Sequence, residues 1–250
     1  MITLGLLKTE FTSLLVNQTI STRIADWAHW TVADILSSYD FWWNKKKGSF
    51  STTSGTAEYF LNHRVQGKQI SWMGDESNQG REIVEVPLEH IYKYDSTPTD
   101  TGDPEVWAYV EQAEVQASNA SGTSTAVSSS ASDSGITVVI WGQVSSVDRY
   151  ETISLNGTTT ATPSSALTWT ADSVRSVSLS QACVGVVTVT VGGTTVATIP
   201  PGLQRVQCPR IRLWRVPGST LALPYIFYQK PMKAINDGDI IDIPDMGFEA

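Results

Sequence analysis

From Ile136 to Ile199 the chain is written in period two, and this stretch limits the fold more than any other feature of the sequence. Ile136, Val138 and Ile140 alternate with Thr137, Val139 and Trp141. Glu151, Ile153 and Leu155 alternate with Thr152 and Ser154, then run into the turn pair Asn156-Gly157. Arg175, Val177 and Leu179 follow. Cys183 to Val191 turns through Gly192-Gly193, a two-residue hairpin signal, into Thr194 to Ile199. About six short strands with turn signals at roughly 8–12-residue spacing predict a β-sandwich.

The flanks read differently. Ala117 to Gly135 is almost wholly Ser, Ala, Thr, Asn, Asp and Gly, a composition too poor in apolar surface to order itself, so residues 117–134 are expected to be a linker. Ahead of it, Ile24, Trp27, Ala28, Thr31 and Ile35 recur on one helix face, with Ser21 or Thr22 placed as cap. Ile2 to Val16, with Leu7, Phe11 and Leu14 on one side, predicts a partner helix joined near Asn17. Phe50 opens period-two segments. Ser49–Thr53 and Thr56–Leu61 predict a hairpin, and Gln69–Met73 with Arg81–Val86 a second pair of strands. Pro87–Tyr94 predicts a short helix and Glu105–Val115 a strand. After Pro200-Pro201-Gly202, Pro209–Val216 and Thr220–Gln229 predict another hairpin, whose aromatics Trp214, Tyr225, Phe227 and Tyr228 match those before residue 116. The expected fold is therefore α+β. A discontinuous helical and β-hairpin domain, 1–116 and 209–250, carries an inserted all-β sandwich, 135–208. Flexible entries and Pro/Gly exits tolerate insertions.

A formal net charge of −8 argues against a duplex reader, whose affinity rests on cations neutralising phosphates. It leaves open a conduit that DNA passes without sticking. Met1 to Phe11 lacks the pattern of a signal peptide, and no stretch approaches the roughly 20 apolar residues of a membrane helix. Cys183 and Cys208 are expected to be free, half-buried thiols.

Catalytic motifs are missing. His29, His63 and His90 sit in no metal spacing, and no nucleophile elbow, zinc-protease, P-loop or dinucleotide signature occurs. No enzyme, cofactor or metal is expected. Asp237, Asp239, Asp242 and Asp245 suit calcium by chemistry, but their spacing is not that of an EF-hand and a solvated acidic segment is the simpler reading. Lys45, Lys46 and Lys47 beside Phe41, Trp42 and Trp43 fit either a nucleic-acid strand or a solvated loop, the second being commoner. The nine tryptophans exceed what one core needs, and aromatics are favoured at protein contacts. Trp27, Trp30, Trp42, Trp43, Trp214 and Tyr225 are the candidate subunit-interface residues.

The patch YDFWWNKKKGSFSTTSGTAEYFL (Tyr39–Leu61), the segment RIRLWRVPGSTLALPYIFYQKP (Arg210–Pro231) and the following NDGDIIDIP (Asn236–Pro244) together resemble the head-to-tail adaptor (connector) proteins of tailed phages. ETISLNGTTTATPSSALTWTADSVRSVSLS (Glu151–Ser180) is similar to the immunoglobulin-like domains inserted in virion proteins. The resemblance implies a structural protein of the phage neck, assembled in the host cytoplasm. It implies a ring of about twelve copies with closed symmetry, docked between portal and tail or nozzle proteins. Genomic DNA would pass through without sequence-specific binding, no membrane would be involved, and the immunoglobulin-like domain would face outward. Adaptors of this kind usually continue past the Ile-Pro into C-terminal helices, whereas this sequence runs to Ala250. Two other readings stand beside it. One is a carbohydrate-binding or host-attachment protein that presents Trp141, Trp169 and Tyr150 to sugars, and the other is a capsid decoration or tail-tube protein.

Overall fold

The computed structural model describes residues 3–14, 23–76, 80–94, 99–117, 119–231 and 241. It is mixed α+β and mostly β, with several sheets. Two helices come first, α1 (Leu4–Leu14) and α2 (Ile24–Ser38), followed by a 3-10 turn at Trp42–Asn44. Strands β1 (Lys45–Ser51), β2 (Glu58–Phe60), β3 (Val65–Asp75), β4 (Arg81–Glu82) and β5 (Val84–Glu85) lead to α3 (Leu88–Tyr94), as Pro87 at its entry predicts. Then come β6 (Thr101–Gly102) and β7 (Val106–Ala113). The middle of the chain supplies β8 (Ser124–Ser128), β9 (Thr137–Val144), β10 (Val147–Ser154), β11 (Val174–Leu179), β12 (Val187–Val191) and β13 (Thr194–Ile199). The chain returns through β14 (Cys208–Trp214), β15 (Val216–Pro217) and β16 (Ala222–Gln229).

The outer segments build two four-stranded sheets, ordered β1-β16-β3-β4 and β2-β14-β7-β5. They share one core of Tyr59, Leu61, Ile70, Met73, Ile83, Trp107, Ile211, Leu213, Leu223, Tyr225 and Phe227. The predicted hairpins at 49–61 and 209–229 do not form: β1 pairs with β16 and β2 with β14, in different sheets. The reason lies at two corners that cross together. The Thr52 hydroxyl donates to the Ser219 carbonyl and accepts from the Leu221 N–H, and the Gly55 N–H donates to the Pro217 carbonyl. Each corner carries its chain from one sheet to the other, so aromatics from both arms of a supposed hairpin line opposite walls of one core. The second predicted pair forms only at its tip, Gly74 opposite Glu82, before the chain switches sheets to pair β5 with β7. On the second sheet Glu58 binds both Arg210 and Arg212, and Arg210 binds Glu111 at 3.0 Å. Arg212 also donates to the Tyr92 hydroxyl at 3.0 Å, which fastens α3 against the sheet.

β7 and β14 are antiparallel neighbours, and residues 114–207 leave and return between them. That excursion folds as two three-stranded sheets, β10-β9-β11 and β13-β12-β8, around a core of Val138, Ile140, Ile153, Val177, Val187, Val189, Val191 and Ile199. Gly192 and Gly193 both have positive φ, as the two-residue turn requires, and a Cβ at Gly192 would collide with the Ser121 carbonyl.

The linker expected at 117–134 is a correction. β8 lies inside it and pairs with β12 along its full length, and Ala120 and Ala126 belong to the core. The segment orders although it has few apolar atoms, because its small side chains fit a close-packed interior and its serines answer buried carboxylates. Ser124 donates to Glu151, and Ser128 donates to Asp133. The Asp133 carboxylate also accepts from the Val184 and Gly185 amides at 2.7 and 2.9 Å. An unpaired buried charge would be prohibitive, so these hydrogen bonds are what let the segment pack. Val115 also lies in the core of the inserted unit, which therefore begins before residue 135.

Candidate subunit interface

α1 and α2 gather a small cluster of their own, Leu4, Ile24, Val32, Leu36 and Ile241, separate from the sheet cores. Phe41 and Trp43 extend it, their rings stacked at 5.1 Å. The buried face of α2 runs Ile24, Ala28, Val32, Leu36, a stripe at every fourth residue, and not through Thr31 and Ile35 as expected. That rotation turns Trp27 to the rim, where it borders with Phe11 an apolar groove of about 210 Å³ between the helices. Phe11 and Leu14, predicted to pack inward, are exposed, as is Leu6. The expected cap at Ser21 or Thr22 and the junction near Asn17 lie outside the described residues; Arg23 precedes the helix without a side-chain cap.

The six candidate interface residues divide. Trp27, Trp30 and Trp42 are exposed, Trp30 to 64% and Trp42 to 83%. Tyr39, whose ring meets that of Phe41 at 5.8 Å, is exposed too. Trp43 is half-buried against the helix cluster. Trp214 is half-buried under the Arg215 guanidinium, 5.9 Å from its ring. Tyr225 is a correction: it is 3% exposed in the sheet core, with its ring laid over Gly48, where a Cβ would strike it at 2.4 Å. It fills space no partner can reach. The exposed residues that reading by helix face missed are Leu6, Phe11 and Leu14. Their signal was the apolar composition of α1.

The basic run lies on a strand, not in a loop. Lys45, Lys46 and Lys47 occupy β1, the outer strand of its sheet, where exposed lysines discourage pairing with another edge. The aromatics proposed for sugars also divide. Trp169 is buried and donates its indole N–H to Glu151 at 3.0 Å, whereas Trp141 and Tyr150 face each other across β9 and β10 and are exposed.

Cys183 and Cys208 are free and fully buried, not half-buried. Burial pushes the Cys208 thiol up to about 11, so it stays protonated and is a poor nucleophile. Burial likewise lowers the pKa of His63, helped by Arg64 and Lys230. Among the described residues no group of three or more His, Cys, Asp or Glu side chains is placed to hold a metal. Asp237, Asp239, Asp242 and Asp245 lie outside the described residues. Among the described residues no helix is long and apolar enough to cross a membrane. Comparison with protein-family models, curated proteins and solved structures finds no match.

Proposed function

We propose that this chain is a non-enzymatic structural subunit of a phage neck, a head-to-tail adaptor that closes into a ring with copies of itself. The ring would sit between portal and tail and give the genome a passage. The observation that carries this reading is the set of apolar side chains exposed on the two helices, Leu6, Phe11, Leu14, Trp27 and Trp30, beside a core that among the described residues holds Leu4, Ile24, Val32, Leu36 and Ile241. Large exposed aromatics mark surfaces that bind protein. A ring subunit needs two different faces, each hidden by a neighbour on closure. The adaptor-like segments Tyr39–Leu61 and Arg210–Pro231 give the reading its family, and similarity of Glu151–Ser180 to immunoglobulin-like domains gives the inserted unit its type. A net charge of −8 suits a lining that DNA slides past.

Light scattering over a concentration series tests the helical face. The wild-type chain is expected to associate, and Trp27→Ser combined with Trp30→Ser to weaken association about a hundredfold, as two lost aromatic anchors would. A wild-type monomer at every concentration, or association indifferent to both changes, contradicts it.

A further inference from the structure

We propose that the cleft between the second body sheet and the β10-β9-β11 sheet is a binding site for a neutral saccharide, a role independent of ring assembly. The cleft holds about 450 Å³, within the range of small-molecule sites. It exists because β7 runs on into the inserted unit: Glu114 bridges Ser176 of β11, and Gln116 donates from its backbone to Val196. The end of one sheet is thereby held facing the flank of another.

Its lining has the chemistry of sugar recognition. Trp141, 42% exposed, supplies an indole face on which the apolar C–H face of a pyranose stacks. Tyr150 lies directly opposite Trp141 in register and is 73% exposed, so it continues the aromatic strip past the mouth of the cleft toward a second ring.

Around that platform stand donors and acceptors in balance. Glu111 and Glu114 offer carboxylates while Arg210 and Arg175 offer guanidinium groups. Glu111 is held by Arg210 and Glu114 by Arg205, each at 3.0 Å, so both carboxylates are fixed in place with acceptor capacity to spare. Arg175 is exposed and has no ion pair or hydrogen bond among the described residues. With Arg205 on Glu114 and Glu58 on Arg210 counted, three carboxylates stand against three guanidinium groups at the cleft, a balance that favours a neutral ligand rich in hydroxyls over a phosphate or another anion. A hydroxyl donates to the carboxylates and accepts from the guanidinium groups, and such charge-assisted bonds are strong.

The test is a titration of the intact, isotope-labelled protein with maltose, cellobiose, lactose and chitobiose into the millimolar range. The readout is the indole N–H resonances. At least one disaccharide should shift the Trp141 resonance saturably while that of buried Trp169 stays fixed. Trp141→Ala should abolish the binding and Arg175→Ala weaken it about tenfold, as the loss of one charged hydrogen-bonding group would. Both side chains are exposed, so both variants should keep the wild-type melting temperature. No movement of the Trp141 resonance with any of the four sugars, or binding that survives Trp141→Ala, overturns the site.

Discussion

At the scale of single residues, the inserted unit depends on carboxylates inside its core. Asp133 has no exposed surface. Burial works against its charge, but hydrogen bonds from Ser128 and from the Val184 and Gly185 amides outweigh that and hold its pKa below the ordinary value. A carboxyl depressed in the folded state contributes stability that is fully present above the unfolded pKa, about 4. That stability is lost as pH falls through the lower, folded value. Thermal melts of the wild type should therefore lose midpoint as pH drops below about 4, and Asp133→Asn should remove part of that dependence. At neutral pH Asp133→Asn should cost about 2–4 kcal/mol, because its amide group meets two backbone donors with one acceptor fewer. A neutral-pH midpoint unchanged by the substitution would show that the carboxylate does not hold this corner.

At the scale of elements, the strand whose sequence reads as a linker makes the sharpest prediction. β8 is paired with β12, and the Ala126 and Ser128 amides donate to the Ala161 and Gly157 carbonyls. Hydrogen exchange should find Ala126 and Ser128 protected to the level of the core of the inserted unit; exchange at the rate of an open chain would restore the linker. The strands β9 to β13 were legible because their faces differ: Val187, Val189 and Val191 point inward and Thr188 and Thr190 outward. β8 was not, since its inward residues are Ser124, Ala126 and Ser128: Ser124 answers Glu151, distant in sequence, and Asp133, though near Ser128 in the chain, is itself held by the distant Val184 and Gly185 amides. Glu151 was placed on the apolar face with Ile153 and Leu155, where it is indeed buried, yet nothing local in sequence names Trp169 and Ser124 as its partners. The hairpins of the outer segments misled for a related reason. Period two locates a strand, but the Thr52 corner that decides its sheet is tied to Ser219 and Leu221, far along the chain. Of the candidate interface, Trp30 and Trp42 could be found as surplus aromatics, while Tyr225 was indistinguishable from them until its neighbour Gly48 was seen to leave room for its ring.

At the scale of the whole molecule, three hydrophobic clusters divide the work. The core of the outer sheets and the core of the inserted unit meet where Phe60 of β2 packs against the latter, so the two are not merely tethered. Among the described residues the helix cluster is the smallest, and Trp27 and Trp30 stand exposed on the helix beside it. That imbalance is what a subunit completed by its neighbours would have, and it is the physical basis of the ring reading. Negative-stain electron microscopy of the purified full chain, alone and mixed with its portal, tests that reading most directly. The account predicts closed rings of about a dozen subunits, free or seated on the portal, with the inserted units as knobs on the outer rim. A chain that stays strictly monomeric and ignores the portal at every concentration would contradict it.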